Sequence, residues 1–198
     1  VNFGFLDFST REAREHFCRE ELRLNQRTAP DLYLDVLPIT GSAENPCLGG
    51  DGEAVDFVLK MRQFPQENLL NNVLARNELT STHIDNLAQQ IAELHRKAAI
   101  VPLTHALGGA DSVMAPVRQN FEQIRPLLDN NPADHALVDQ LEAWAETHFA
   151  RLQPLLEQRK ADGFIRECHG DIHLANATLV DGQVMLFDCI EFNEPFRL

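Results

Sequence analysis

The stretch Ile165-Arg166-Glu167-Cys168-His169-Gly170-Asp171-Ile172-His173-Leu174-Ala175-Asn176, followed by Val184-Met185-Leu186-Phe187-Asp188, is the most informative part of the chain. It holds a His-Gly-Asp, an Asn five positions beyond that Asp, and a second Asp closing an apolar run. These are the parts needed to move a phosphoryl group from Mg-ATP to a hydroxyl. Such a transfer asks the protein for little covalent chemistry. It needs an oriented acceptor and a divalent ion, held by hard oxygen ligands, to neutralise the phosphates. Asp171 carries a carboxylate suited to the first task, as catalytic base, and Asn176 with Asp188 carry oxygens suited to the second. ATP and Mg²⁺ are therefore the expected cofactors.

Working outward, Val184 to Phe187 reads as a short buried strand, and Asp181-Gly182 just before it is a strong hairpin-turn signal. A hairpin there brings Asn176 and Asp188 together across twelve positions. Upstream, Ser9 or Thr10 can cap a helix to about Arg27, with Ala13, Phe17 and Leu24 on one face, and Val1 to Leu6 reads as a strand. Leu34 to Ile39 and Ala54 to Met61 alternate like strands around a turn-rich connection from Gly41 to Gly52. A helical period then runs through Ile84, Leu87, Ala88, Ile91, Ala92, Leu94 and His95, capped by Ser81 or Thr82. Two more helices are expected from about Val113 to Leu128 and from Ala136 to about Lys160. The second of these places Leu137, Leu141, Trp144, Phe149, Leu152 and Leu156 inside. Gly108-Gly109 and Asn130-Asn131-Pro132 mark connections. The class is α+β: a strand-rich first third, a helical middle and a compact hairpin at the end.

His169-Gly170-Asp171 through Asn176, with Phe187-Asp188-Cys189-Ile190-Glu191-Phe192-Asn193 behind it, resembles the catalytic loop and metal-binding strand of aminoglycoside-phosphotransferase-like kinases. Protein kinases carry Arg where this chain has Gly170, and Phe-Gly rather than Cys189-Ile190 after the metal Asp. The runs Val1 to Ser9, Glu20 to Asn25 and Cys168 to Asn193 look most like the kinase-like half of bacterial two-part proteins, in which the module precedes a P-loop ATPase domain. The resemblance implies a protein-kinase-like two-lobed fold, with residues 1–61 the remainder of the N-terminal lobe and 62–198 a C-terminal lobe. It implies that Glu20 or Glu21 ion-pairs with a strand lysine upstream of the chain, and that Lys60-Met61-Arg62 is the linker whose backbone meets adenine. The acceptor is then a small-molecule hydroxyl, an aminoglycoside being one candidate. The chain begins with Val and stops at Phe196-Arg197-Leu198 without a terminating signal, so it reads as a fragment.

A net charge of -13, from 17 basic against 30 acidic residues, argues against nucleic acid or an anionic membrane surface as partner. Cys18, Cys47, Cys168 and Cys189 form no Cys-x-x-Cys pair, which disfavours a zinc knuckle or a disulfide scaffold and points to a reducing, cytoplasmic setting. No apolar run is long enough to cross a bilayer. Nothing near His95 completes a metal set. His169 is expected to support the loop backbone, and His173 to face the acceptor cleft.

Two other readings compete. Gly170-Asp171-Ile172-His173 also looks like the first metal-binding turn of a calcineurin-like phosphoesterase. That chemistry needs further Gly-Asp and Gly-Asn-His ligand motifs downstream, and none occurs in the 25 residues that follow. A catalytically silent kinase-like binding module is the other. Retention of Asp171, Asn176 and Asp188 weighs toward activity.

Overall fold

A computed structural model describes residues 7–129 and 131–198. The strand expected from Val1 to Leu6 lies outside the described residues. The fold is mixed α+β and divides into two compact units, one of residues up to Ala98 with Cys168–Arg197, the other essentially Ala99–Glu167. The lobe boundary expected at Met61 falls within the first unit.

In the first unit, α1 (Arg11–Asn25) starts where the Thr10 hydroxyl accepts the Ala13 amide. It packs on an antiparallel sheet of order β2-β1-β3, from β1 (Tyr33–Gly41), β2 (Pro46–Leu48) and β3 (Asp56–Met61). β2 lies inside the stretch read as a plain connection. It is three residues long and wholly exposed, so no buried alternation announced it. α2 (Leu70–Ala75) and α3 (Ser81–Lys97) follow. The cap of α3 is Thr80, one or two positions earlier than expected: its hydroxyl accepts the His83 amide while His83 Nδ1 accepts the Thr80 amide. Histidine occupies the place that Glu or Gln fills in the usual capping box, which hid the motif. The unit closes on β4 (Ala177–Val180), β5 (Gln183–Leu186) and the short α6 (Glu194–Arg197).

Leu70, Val73, Leu87 and Leu94 bury themselves against Ala177, Val184 and Leu186, so the inner face of the β4–β5 hairpin is the floor of a core roofed by α2 and α3. A second cluster joins Ala29, Leu32 and Tyr33 to Val180. Gln90 of α3 reaches across to β5, accepting the Leu186 amide (3.2 Å) and donating to the Val184 carbonyl. One side-chain amide thus pairs backbone groups on a strand edge that would otherwise stay unpaired.

The second unit is a helical pair, α4 (Ala110–Ile124) and α5 (Pro132–Ala161). The Glu157 carboxylate accepts the Ala110 amide (2.7 Å) at the N-terminus of α4, where an anion is favoured. Arg118 bridges to Glu146 (2.6 Å), and Arg125 to Asp139 and Glu142. The expected interior of α5 is corrected here. Leu137, Leu141, Trp144 and Leu152 are exposed, as is Leu155. Apolar residues ring this helix, so the residues facing α4 and a second stripe cannot both be buried by one partner helix.

Candidate functional site

The site is built on the hairpin. β4 and β5 pair from Ala177↔Leu186 to Val180↔Gln183. The turn residues Asp181 (φ 51°) and Gly182 (φ 79°) supply the two consecutive left-handed conformations a two-residue turn needs. Beyond the open end of the ladder, the Phe187 amide donates to the Asn176 carbonyl (2.9 Å). Asn176 and Asp188 therefore flank the same end of the hairpin.

The loop leading in is shaped by His169, which is 0% exposed. Its Nδ1 accepts the Asp171 amide (3.3 Å), so the opposite nitrogen carries the proton and donates to the Phe187 carbonyl (2.9 Å). Burial pushes its pKa down, which keeps the ring neutral in this role. Gly170 sits at φ +88°, and a Cβ there would come within 3.1 Å of the Phe196 carbonyl oxygen. A side chain at this position would strain the backbone and require the Phe196 carbonyl to give way by a few tenths of an ångström.

Asp171 is half-exposed and turned toward Asn176, whose Nδ2 donates to its carbonyl oxygen and to its Oδ2, both at 3.0 Å. His173 Nδ1 accepts the Ala175 amide (3.2 Å), and its Nε2 lies 3.4 Å from the same Oδ2. The Asn amide group is thus held in one orientation, and its Oδ1 accepts no hydrogen bond among the described residues. The Asp188 carboxylate likewise has no hydrogen-bonded or ion-paired partner among them. Although this side chain reaches solvent, the protein packed around it disfavours its charge, and the nearby Asp171 carboxylate adds to the effect, so its pKa is raised. Two uncommitted hard oxygens beside an acidic neighbour suit a small divalent cation that keeps most of its ligands as water or phosphate. Among the described residues no three His, Cys, Asp or Glu side chains form a metal-binding group, which is the kind of cluster a dinuclear hydrolase requires.

Asp188 is also strained, with φ +63°. Its amide donates to the Tyr33 hydroxyl (3.2 Å), and the next amide, of Cys189, donates to Asn25 Oδ1 (2.8 Å). Neither residue was picked out from the sequence. A buried Asn in the last turn of an amphipathic helix was the available signal.

The two glutamates of α1 differ. Glu20 is paired with Arg23 (2.8 Å) and lies 3.6 Å from Arg197. Glu21 has no side-chain partner among the described residues. Burial first, then Glu191 and Asp188, push its pKa up to about 7. Glu21 lines a cleft of about 540 Å³ together with Phe8, Phe17, Cys18, Phe57 and Glu191. Lys60 and Met61 are exposed at the end of β3, opposite Asp35 and Tyr33, and among the described residues no hydrogen bond or ion pair joins them to Asp171. Arg62 next to them pairs with Asp181 at the hairpin tip (3.2 Å).

This chain matches uncharacterized proteins. Those of Mycobacterium bovis and of two strains of Mycobacterium tuberculosis are each 25% identical to it over 193 residues, a span covering 98% of this chain and 37% of theirs. The chain thus spans little more than a third of the length of the curated relatives it matches. No family model and no solved structure matches it.

Proposed function

We propose that this chain is part of an ATP-dependent phosphotransferase, of protein-kinase-like two-lobed fold, that phosphorylates a hydroxyl of a small molecule. The observation that carries this reading is the hydrogen-bonded pair Asp171–Asn176 at the same end of a hairpin as Asp188, whose carboxylate has no partner among the described residues. Asn176 Oδ1 and Asp188 would hold Mg²⁺, which when bound would neutralise the phosphates of ATP. Asn176 Nδ2 and His173 fix one carboxylate oxygen of Asp171. The other remains to orient an acceptor hydroxyl and take its proton.

Of the two glutamates, Glu21 fits a strand lysine better, because it is half-buried and has no side-chain partner among the described residues, whereas Glu20 already has cations beside it. Lys60 and Met61 are proposed as the stretch against which adenine lies, and a P-loop ATPase domain as a further part of the whole protein. A dinuclear phosphoesterase is less well supported, because no third ligand joins such a group among the described residues.

The test is phosphoryl transfer from Mg-ATP to a panel of hydroxyl compounds by the whole protein. Asp171→Asn is expected to keep ATP binding and lower turnover by about 10²- to 10⁴-fold, the range of a lost general base. Asp188→Ala is expected to abolish turnover with the fold retained. Metal-dependent phosphoester hydrolysis needing no ATP, or full turnover in either variant, rejects the assignment.

A further inference from the structure

The proposed metal carboxylate stands on a backbone that does not hold itself. Asp188 occupies a left-handed conformation at φ +63°, uncommon outside glycine although Asp enters it more readily than most residues. Two consecutive amides at this point leave the β4–β5 ladder and find side chains instead of strand partners. The Asp188 amide meets the hydroxyl of Tyr33, which is 1% exposed at the start of β1. The Cys189 amide meets Oδ1 of Asn25, 0% exposed in the last turn of α1, and the same side chain donates through Nδ2 to the Glu21 carbonyl (3.0 Å). One buried carboxamide therefore spans from the helical turn that bears Glu21 to the residue after Asp188.

We infer that Asn25 and Tyr33 are positioning residues for Asp188, clamping the two amides of its left-handed turn and tying them to α1 and β1; this rests on the phosphotransferase reading of Asp188. Neither side chain touches substrate or metal. Their action is to remove the backbone freedom that would let the carboxylate swing away from Asn176, and to make any displacement of α1 felt at Asp188. Partners of this outer kind are worth about 10- to 100-fold in metal affinity in known sites.

The test uses the whole protein carrying Tyr33→Phe, which deletes only the hydroxyl, and separately Asn25→Ala. Three quantities are read: nucleotide affinity without divalent ion, the half-saturating Mn²⁺ concentration of the nucleotide complex followed by electron paramagnetic resonance, and amide hydrogen exchange of the peptide containing Phe187 to Ile190. Each variant is expected to keep its metal-free nucleotide affinity, to need about tenfold more Mn²⁺, and to exchange faster at that peptide while α3 exchanges as before. A merely structural role would speed exchange across α1, α3 and the hairpin alike, and that pattern overturns the inference. Unchanged exchange at the peptide in Tyr33→Phe overturns it as well, and this variant decides if Asn25→Ala does not fold. If the unmodified protein binds neither nucleotide nor Mn²⁺, the phosphotransferase reading fails, while the exchange measurement still decides whether the clamp exists.

Discussion

Glu21 is a carboxylate placed where its charge is unwelcome unless a cation arrives. With its pKa raised from 4.5 to about 7, folding takes up a proton between those values. Its contribution to stability is complete below about pH 4.5 and is lost as pH rises through about 7. The raised carboxyls of Asp188 and Glu191 act in the same direction, whereas Glu93 and Asp56, whose pKa values are lowered, contribute stability that is lost as pH falls. Glu21→Gln removes the first component alone. The urea midpoint of this variant, relative to the unmodified protein, should climb between pH 4.5 and 7 and level off above. A constant difference across that window contradicts the unpaired state of Glu21. A lysine seated against it in the whole protein lowers its pKa and abolishes the climb, so the same titration reports whether the ion pair forms.

At the scale of elements, the hairpin and its loop were the most legible part, because turn chemistry and motif spacing are local. Asp181-Gly182 dictates a two-residue turn, and the turn places Asn176 and Asp188 at the same end of the hairpin. Helices α1, α3, α4 and α5 were legible from their period, with ends displaced by a residue or a few, whereas α2 and α6, of six and four residues, are too short to show one. What stayed hidden depends on partners far away in sequence: Glu20, already paired with Arg23, also lies near Arg197, and Asn25 and Tyr33 accept two amides more than a hundred positions later. Two glycines separate local from tertiary constraint. Gly182 has φ +79° and nothing within 4 Å of an added Cβ, so Gly182→Ala should cost only the backbone term of about 1 kcal/mol. Gly170→Ala adds the approach to the Phe196 carbonyl and should destabilise by about 2 to 3 kcal/mol. Equal losses on chemical denaturation would mean that α6 yields freely to the loop.

On the scale of the molecule, no helix among the described residues is long and apolar enough to cross a membrane. The exposed apolar stripe of α5 carries the chain's one tryptophan, Trp144, which is 61% exposed and stacked near His148. Its emission in this 198-residue chain should lie at the long-wavelength, water-exposed end and be readily quenched by acrylamide. In the whole protein, a blue shift with loss of quenching would show that other chain covers α5; an already blue-shifted, protected indole in the 198-residue chain would contradict the exposure seen here.

The clamp on Asp188 also orders events during synthesis. Asn25 and Tyr33 leave the ribosome long before the amides they hold, since 164 and 155 positions separate the partners. The hairpin, by contrast, can close on itself within a dozen residues and at little entropic cost. A nascent chain can thus form the hairpin, with Asn176 and Asp188 at its open end, while the backbone at Asp188 stays unheld until α1 and β1 return to its two amides. Contacts of such length are the slow ones in folding. The turn at Asp188 should therefore set later than the hairpin beneath it, once α1 and β1 have reached its two amides.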